Sequence, residues 1–367
     1  MSSQTAIPCL FMRGGTSRGP FFDMADLPQD TTLRDQVLLA ALGSPDKRQI
    51  DGLGGAHSLT SKVGMVCLGS QPGVDLEFLF AQLQPEKSTV DTKPNCGNML
   101  AAVVPFALER GMITAQGDTT TVRVLTRNTG MLSDITVATP GGEISYEGSA
   151  RIDGVPGTCA PVQISFLDTA GSVAGSLLPT DNAVDKFDIE GFGTLEATCI
   201  DNGMPMILVR AEDVHRSAYE TVDEMNADTE LKTVLEKLRL QASLKMGLGD
   251  VSDKNYPKMC LLARPINGGA IHTRCFIPHV CHDAIGVLAA VTVGTACVMK
   301  GTVADGLAAL TPAAQTTVSV EHPSGEFSVV LTLAGEHVTT AALLRTARTI
   351  MAGEVMIPKK IWDNTRP

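Results

Sequence analysis

The stretch "NCGNMLAAVVPFALERG", Asn95–Gly111, places a single thiol between Asn and Gly, directly ahead of a run that is apolar nearly all round at helical period. A helix with no polar face has to be covered on every side. A strongly curved sheet wrapped around it does this. The pattern recurs. Cys281 leads into "AIGVLAAVTVGTACVM", Ala284–Met299, which ends near Gly301. A strand-like lead-in precedes each cysteine, "LEFLFAQL" (76–83) and "GAIHTRCFI" (269–277). A strand-and-turn pattern follows each helix, "TTTVRVLTRNTG" (119–130) and "TTVSVEHPSGEFSVVL" (316–331). We read a tandem duplication of one αβ unit. The domains are expected over 1–183 and 184–367, joined by a Gly-, Asp- and Ser-rich stretch at about Leu167–Phe192.

The 367 residues suffice for about two domains, and 44% hydrophobic residues supply their cores. A formal charge of −11 argues against nucleic acid or an anionic membrane as partner. It leaves room for an acidic small molecule at a locally positive site. Nine cysteines include no CxxC pair, and the N-terminus lacks a basic start followed by a long apolar core. Free thiols in the cytoplasm are the expectation. The apolar run at 284–299 is too short and too rich in Thr and Gly for a membrane span.

Outward from the opening stretch, Ile7–Met12 reads as a strand entering the loop "RGGTSRG" (13–19), and Leu33–Leu42 as a helix closed by Gly43. The Gly-rich loop in "RQIDGLGGAHSLTSKVGMV" (48–66) leads into another strand, and 119–152 alternates as an antiparallel meander. Asp228–Met246 is predicted as an amphipathic helix, and Thr340–Ala352 as a last helix capped by Thr339 and closed by Gly353. The strand 354–358 is expected to cross back to the first domain.

Uncapped backbone N–H groups at a helix start favour a thiolate or a bound carboxylate. Only Cys96 and Cys281 combine a helix start, polar neighbours and matching places in the two halves. The other seven cysteines read as small buried hydrophobes. Arg13 and Arg274 are candidate carboxylate clamps, because guanidinium binds carboxylate in bidentate fashion. Ser324 in "HPSG" (322–325) is a candidate turn cap or carboxylate donor.

The blocks "MRGGTSRG" (12–19), "GSPDKRQIDGLGGAHSLTSKV" (43–63), "NCGNMLAAV" (95–103), "EGSARIDGVPGT" (147–158), "MGLGDVS" (246–252) and "EHPSGE" (321–326) resemble the 2-methylaconitate isomerase family of PrpF type. That family also holds 4-oxalomesaconate tautomerases and 3-methylitaconate isomerase. The resemblance implies an α+β, diaminopimelate epimerase-like fold. Two pseudo-symmetric domains, each a curved sheet around a buried central helix, would meet at a cleft lined by the two cysteine-bearing helix ends. It implies a cofactor-independent 1,3-allylic proton shift, or a cis–trans change, on a small unsaturated di- or tricarboxylate. Lys62 and Cys96 would be the acid/base groups. Thr16, Ser17, Ser61, Gly97, Asn98, Arg274, Cys281, His282 and Ser324 make up the substrate-binding set. No cofactor or metal is expected, and "HVCH" (279–282) reads as polar residues at a helix start. Homodimerisation is left open. "VCHDA" (280–284) and "DNGMPM" (201–206) depart from amino-acid epimerases of this fold. Two other readings stand beside the isomerase: a two-thiol amino-acid epimerase, and a non-catalytic accessory protein of carboxylate metabolism.

Overall fold

The computed structural model describes residues 3–167, 169–335 and 337–363. The chain divides into two compact units, Met1–Ser165 with Leu344–Pro367, and Phe166–Leu343. The division falls at Ser165/Phe166 rather than after residue 183, and the residues from Leu344 onward belong to the first unit.

The first unit contains β1 (Gln4–Gly14), β2 (Ser17–Asp23), α1 (Thr31–Leu42), β3 (Lys62–Leu68), β4 (Leu76–Leu83), β5 (Val90–Asp91), α2 (Gly97–Leu100), α3 (Val103–Glu109), β6 (Thr119–Thr126), β7 (Met131–Ala138) and most of β8 (Pro161–Phe166). The second contains β9 (Asp185–Ile189), β10 (Gly193–Asp201), β11 (Pro205–Arg210), α4 (Val222–Ala227), α5 (Thr229–Lys245), β12 (Lys258–Ala263), β13 (Ile271–Phe276), α6 (Val287–Val298), β14 (Gln315–His322) and β15 (Gly325–Ala334). The last strand, β16 (His337–Pro358), starts in the second unit and ends in the first.

The pairings repeat. In the first unit β1 and β2 form a hairpin, and β2 pairs parallel to β3 across α1. β3 pairs antiparallel to β4, β4 parallel to β6 across the buried helices, and β6 antiparallel to β7. In the second unit β10–β11, β11–β12 (across α4 and α5), β12–β13, β13–β14 (across α6) and β14–β15 follow the same sequence of orientations. Two parallel crossovers in each unit place one helix outside its sheet and one inside. In the first unit the order runs β1-β2-β3-β4-β6-β7-β8-β16, and β16 pairs back onto β1, so the sheet closes on itself.

Strand alternation sorts side chains between the two helices. Val63 and Met65 point outward into a cluster with Val37, Leu38, Ala41 and Leu42 of α1. That helix is capped by Asp30, which accepts from Leu33 N–H, and closed by Gly43 in the left-handed region. Lys62 and Gly64 therefore face the inner helix. A Cβ on Gly64 would lie 2.3 Å from the Phe21 ring, which stacks with Phe78 and packs against Phe106 of α3. In the second unit Met259 and Leu261 face α5 with Leu231, Leu235 and Leu238. Met99–Ala107 is fully buried throughout apart from the ring of Pro105, which is also inside. The helix is split because Pro105 has no N–H to offer the Ala101 carbonyl, although Ala101 and Ala102 stay in helical conformation.

Three local readings are corrected. Residues 340–352 are strand, not helix. Ala, Leu and Arg favour helix locally, but backbone pairing to β15 over Thr340–Leu343 and to β1 from Ala347 onward ties the segment into the sheet. The meander stops after β6 and β7, and residues 143–160 carry only the bridge Ala150–Cys159. The second inner helix begins at Val287 with Gly286 as N-cap, so Cys281 lies ahead of it, on a bridge to Phe276. None of the described helices is long and apolar enough to cross a membrane.

Phe106→Ala should lower unfolding free energy by about 3–5 kcal/mol, the range for emptying a close-packed aromatic site, measured by urea denaturation. A change below about 1 kcal/mol would mean the sheet does not close around α3.

Candidate functional site

The turn between β1 and β2 is built for close approach. A Cβ on Gly14 would sit 2.3 Å from the Asn98 carbonyl oxygen, and one on Gly15 only 2.2 Å from Asn98 Oδ1. Gly15 also has φ +52°, a conformation most side chains avoid. Two residues into β2, a Cβ on Gly19 would overlap the Lys62 carbonyl. One hairpin thus presses its backbone against both the Asn98 turn and the start of β3. Gly15 N–H donates to Thr346 O, and Arg13 donates to Gly15 O and Thr346 O, which fixes the turn against β16.

Asn98 is the hub. Arg345 Nε donates to its Oδ1 at 3.1 Å, so the carboxamide is turned with its NH₂ group away from β16. That group donates to Thr16 Oγ1 at 2.9 Å and lies 3.4 Å from Ser17 Oγ. Each hydroxyl accepts from Asn98 and keeps its own hydrogen to donate elsewhere. Two hydroxyl donors and an arginine are the groups a carboxylate needs.

Lys62 is buried, 7% exposed. Its Nζ donates to Gln82 Oε1 and stands 5.0 Å from the centre of the Phe80 ring. Cys96, half-buried, is the N-cap of α2, its backbone extended (φ −139°, ψ 96°) and its turn uncapped by any side chain. Its N–H donates to Asn95 Oδ1 at 2.7 Å. Gly97 and Asn98 complete that first turn. Ser61 is fully buried, and its hydroxyl is committed to Gln49 Oε1 and His57 O. It braces the Gly-rich loop rather than facing a ligand.

The residues singled out in the second unit have partners within that unit. Arg274 faces outward, beneath the loop ahead of α4. It donates to Glu220 O, to Thr273 O and to His272 Nε2. Guanidinium only donates, so His272 accepts there and its Nδ1–H donates to Glu321 Oε2 at 2.9 Å. Burial pushes the Glu321 carboxyl up, but hydrogen bonds from Ile266, His272, Gly269 and Asn267 outweigh it and hold it below the usual range. Burial also lowers Arg274. Cys281 packs into the apolar core with α5 and donates its N–H to Asn226 Oδ1. Burial pushes its thiol up to about 11, despite nearby Arg274. His282 Nδ1 accepts from Ala284 N–H. Exposed Ser324 donates to Asp283 O, which ties the β14–β15 turn to that loop. Among the described residues no group of three or more His, Cys, Asp or Glu is placed to hold a metal ion.

A family model described as PrpF protein matches residues 4–358. The chain belongs to the PrpF family. It is 50% identical over 359 residues to a protein of Pseudomonas putida named 4-oxalomesaconate tautomerase, covering 98% of each. It is 51% identical over 352 residues to one of a Novosphingobium species named (4E)-oxalomesaconate Delta-isomerase, covering 95% of this chain and 97% of the relative. Among solved structures, a methylitaconate-delta-isomerase superposes with a TM-score of 0.87 at 35% identity over 100% of this chain and 99% of that one.

In this PrpF chain two site residues escape the sequence reading. Arg345 sits in the segment read as helix, where its neighbours gave no hint of Asn98. Gln82 is 20 residues from Lys62 and meets it only through the β3–β4 register. The strand reading of Leu76–Leu83 is the one signal for Gln82, and its partner follows only from knowing which strand lies alongside.

Two outcomes follow from the geometry. Gly15→Ala should push Asn98 aside and lower kcat/KM at least about tenfold, with the strain at a left-handed position adding about 1–3 kcal/mol of destabilisation. Unchanged kinetics would exclude Asn98 from the site. Alkylation needs the thiolate, and the folded Cys281 thiol ionises only near pH 11. Iodoacetamide at pH 8 should therefore leave the Cys281 peptide unmodified until denaturant is added, as read by mass spectrometry.

Proposed function

We propose that this protein is a cofactor-independent isomerase that moves a proton across a three-carbon allylic unit of a small unsaturated polycarboxylate, with 4-oxalomesaconate as the leading substrate type. The carrying observation is the single hairpin that presses on both Asn98 and Lys62. It links two hydroxyl donors and an arginine-oriented amide to a buried lysine held only by neutral groups.

Lys62 removes the proton from the carbon beside the unsaturated acid, leaving a dienolate. Charge grows on the carboxylate or keto oxygens, where fixed hydroxyl and amide donors stabilise it without reorganising. The Cys96 thiol delivers a proton two carbons away, and the proton taken up by Lys62 then passes through solvent to the Cys96 thiolate, restoring neutral amine and thiol. In the reverse direction the two groups exchange roles. Atoms balance, since one C–H bond breaks and another forms. Support for the oxalomesaconate type comes from the names of the two relatives at 50% and 51% identity. A methylitaconate- or methylaconitate-like acid is the second reading, favoured by the 35% identical solved isomerase. The core position of Cys281 supports a lysine–thiol pair over the two-thiol epimerase.

The test is proton exchange. Wild-type enzyme in D₂O should wash deuterium into 4-oxalomesaconate at both ends of the allylic unit, followed by NMR. Lys62→Ala should slow this by about 10²–10⁴-fold with KM little changed, whereas Cys281→Ser should keep substantial turnover. Lys62→Arg should not rescue, because guanidinium stays protonated. Full exchange in Lys62→Ala would remove the lysine from the mechanism.

A further inference from the structure

Gln82 occupies an unusual position for an exposed-type side chain on a sheet. Its NH₂ group faces three backbone carbonyls, Ser58 O at 3.1 Å, Ser61 O at 3.1 Å and Leu83 O at 2.9 Å. Carbonyl oxygens only accept, so the carboxamide has one orientation, with Oε1 toward Lys62 Nζ. Two residues back on the same face of β4, the Phe80 ring lies against the amine. Phe80 is itself held by Asn128, whose carboxamide bonds both its N–H and its C=O.

The charged groups on the surrounding elements are engaged elsewhere. Arg18 of β2 lies over the Phe11 ring. Glu77 of β4 is bound by Ser70 and Arg127. His57, ahead of the turn at Ser58–Thr60, accepts from Leu59 N–H. On α3, Glu109 takes the Tyr146 hydroxyl and the neighbouring Arg110 pairs with Asp26. Asp91 of β5, the register partner of Gln82, accepts from Lys93 N–H, Asp23 of β2 accepts from Ala25 N–H, and Cys67 of β3 lies against Arg127, which leaves Cys96 ahead of α2. Among the described residues none of these forms an ion pair with Lys62.

We infer that Gln82 is a positioning residue for Lys62, an amide chosen over a carboxylate so that the amine is aimed identically with and without its third proton. An amide oxygen accepts an N–H from ammonium and from neutral amine alike. The lone pair of the neutral amine is then left free for a carbon acid. A carboxylate at the same place would favour the ammonium and hold the proton back. The inference rests on the reading of Lys62 as an acid/base group.

The experiment uses Gln82→Glu and Gln82→Met beside Lys62→Ala, with 4-oxalomesaconate as probe and circular dichroism as a check of folding. For Gln82→Glu the sign is set by the new negative charge. It raises the pH at which Lys62 gives up its proton, so the acid limb of the kcat profile should move up by about one unit. Turnover at pH 7 should fall about tenfold, with KM within about threefold of wild type. Gln82→Met, which has no polar end, should lose turnover to a similar degree at unchanged KM. If Gln82→Glu does not fold, the kcat-against-KM split of Gln82→Met decides. Wild-type kcat and wild-type pH limb in folded variants would overturn the inference, as would parallel loss of kcat and folded fraction. A fully active Lys62→Ala would instead overturn the underlying reading of Lys62. A slow Lys62→Ala with wild-type Gln82 variants would sink the positioning role alone.

Discussion

A helix without a polar face cannot rest on a flat sheet, because its far side would face water. The α2–α3 segment is such a helix, and the closed sheet of the first unit follows from it. Closure needs a strand to return after β8 and join β1, and β16 does so. The same strand delivers Arg345 to Asn98 and the Thr346 carbonyl to Gly15. Covering the helix and assembling the site are therefore one structural requirement. The turn at the helix start is the part of the segment left for chemistry, and Cys96, Gly97 and Asn98 occupy it.

The glycines of the β1–β2 turn show how tightly this is drawn. At these glycines it is backbone that lies against Asn98 and Lys62. A larger residue at positions 14, 15 or 19 would meet backbone or carboxamide atoms well inside van der Waals contact. The cost of the left-handed turn at Gly15 is offset by hydrogen bonds from Gly15 N–H and Arg13 to β16.

What could be read in the sequence was whatever local pattern carries. The two apolar helices, the strand lead-ins and the duplicated order are periodicities, and the amphipathic helix ending near Met246 announces itself by its Leu and Val stripe. Thr340–Ala352 misled because Ala, Leu, Arg and Met suit a helix, while pairing from β15 and β1 is non-local and outweighs a few tenths of a kcal/mol per residue. Cys281 misled because "HDAIG" is apolar enough to extend a helix on paper. Gly286 is in fact extended (φ −68°, ψ 150°), and the chain before it closes a bridge to Phe276. Cys96 was legible from its place at a helix start, whereas Lys62, Thr16 and Ser17 were legible only through their motifs. Arg345 and Gln82 were not, since each reaches its partner through strand register.

The duplicated pairing order also allows the two turns to be compared. The turn between β10 and β11 corresponds in topology to the one between β1 and β2, and it carries an amide of its own, Asn202. But Asn202 is consumed internally. Its Oδ1 accepts from Thr169, its NH₂ donates to Thr295 of α6, and its N–H lies against the Thr292 hydroxyl. Thr292 and Thr295 make the second inner helix polar toward that turn, whereas Met99–Ala107 of the first carries no hydroxyl. Their hydroxyls stitch helix to turn, as a buried polar pair must be satisfied or costs about 1–3 kcal/mol. In the first unit the inner helix meets the turn with the NH₂ group of Asn98 alone, so the hydroxyls at Thr16 and Ser17 accept from it and keep their hydrogens. A turn whose donors are not spent on its own fold is one that has donors left for a carboxylate.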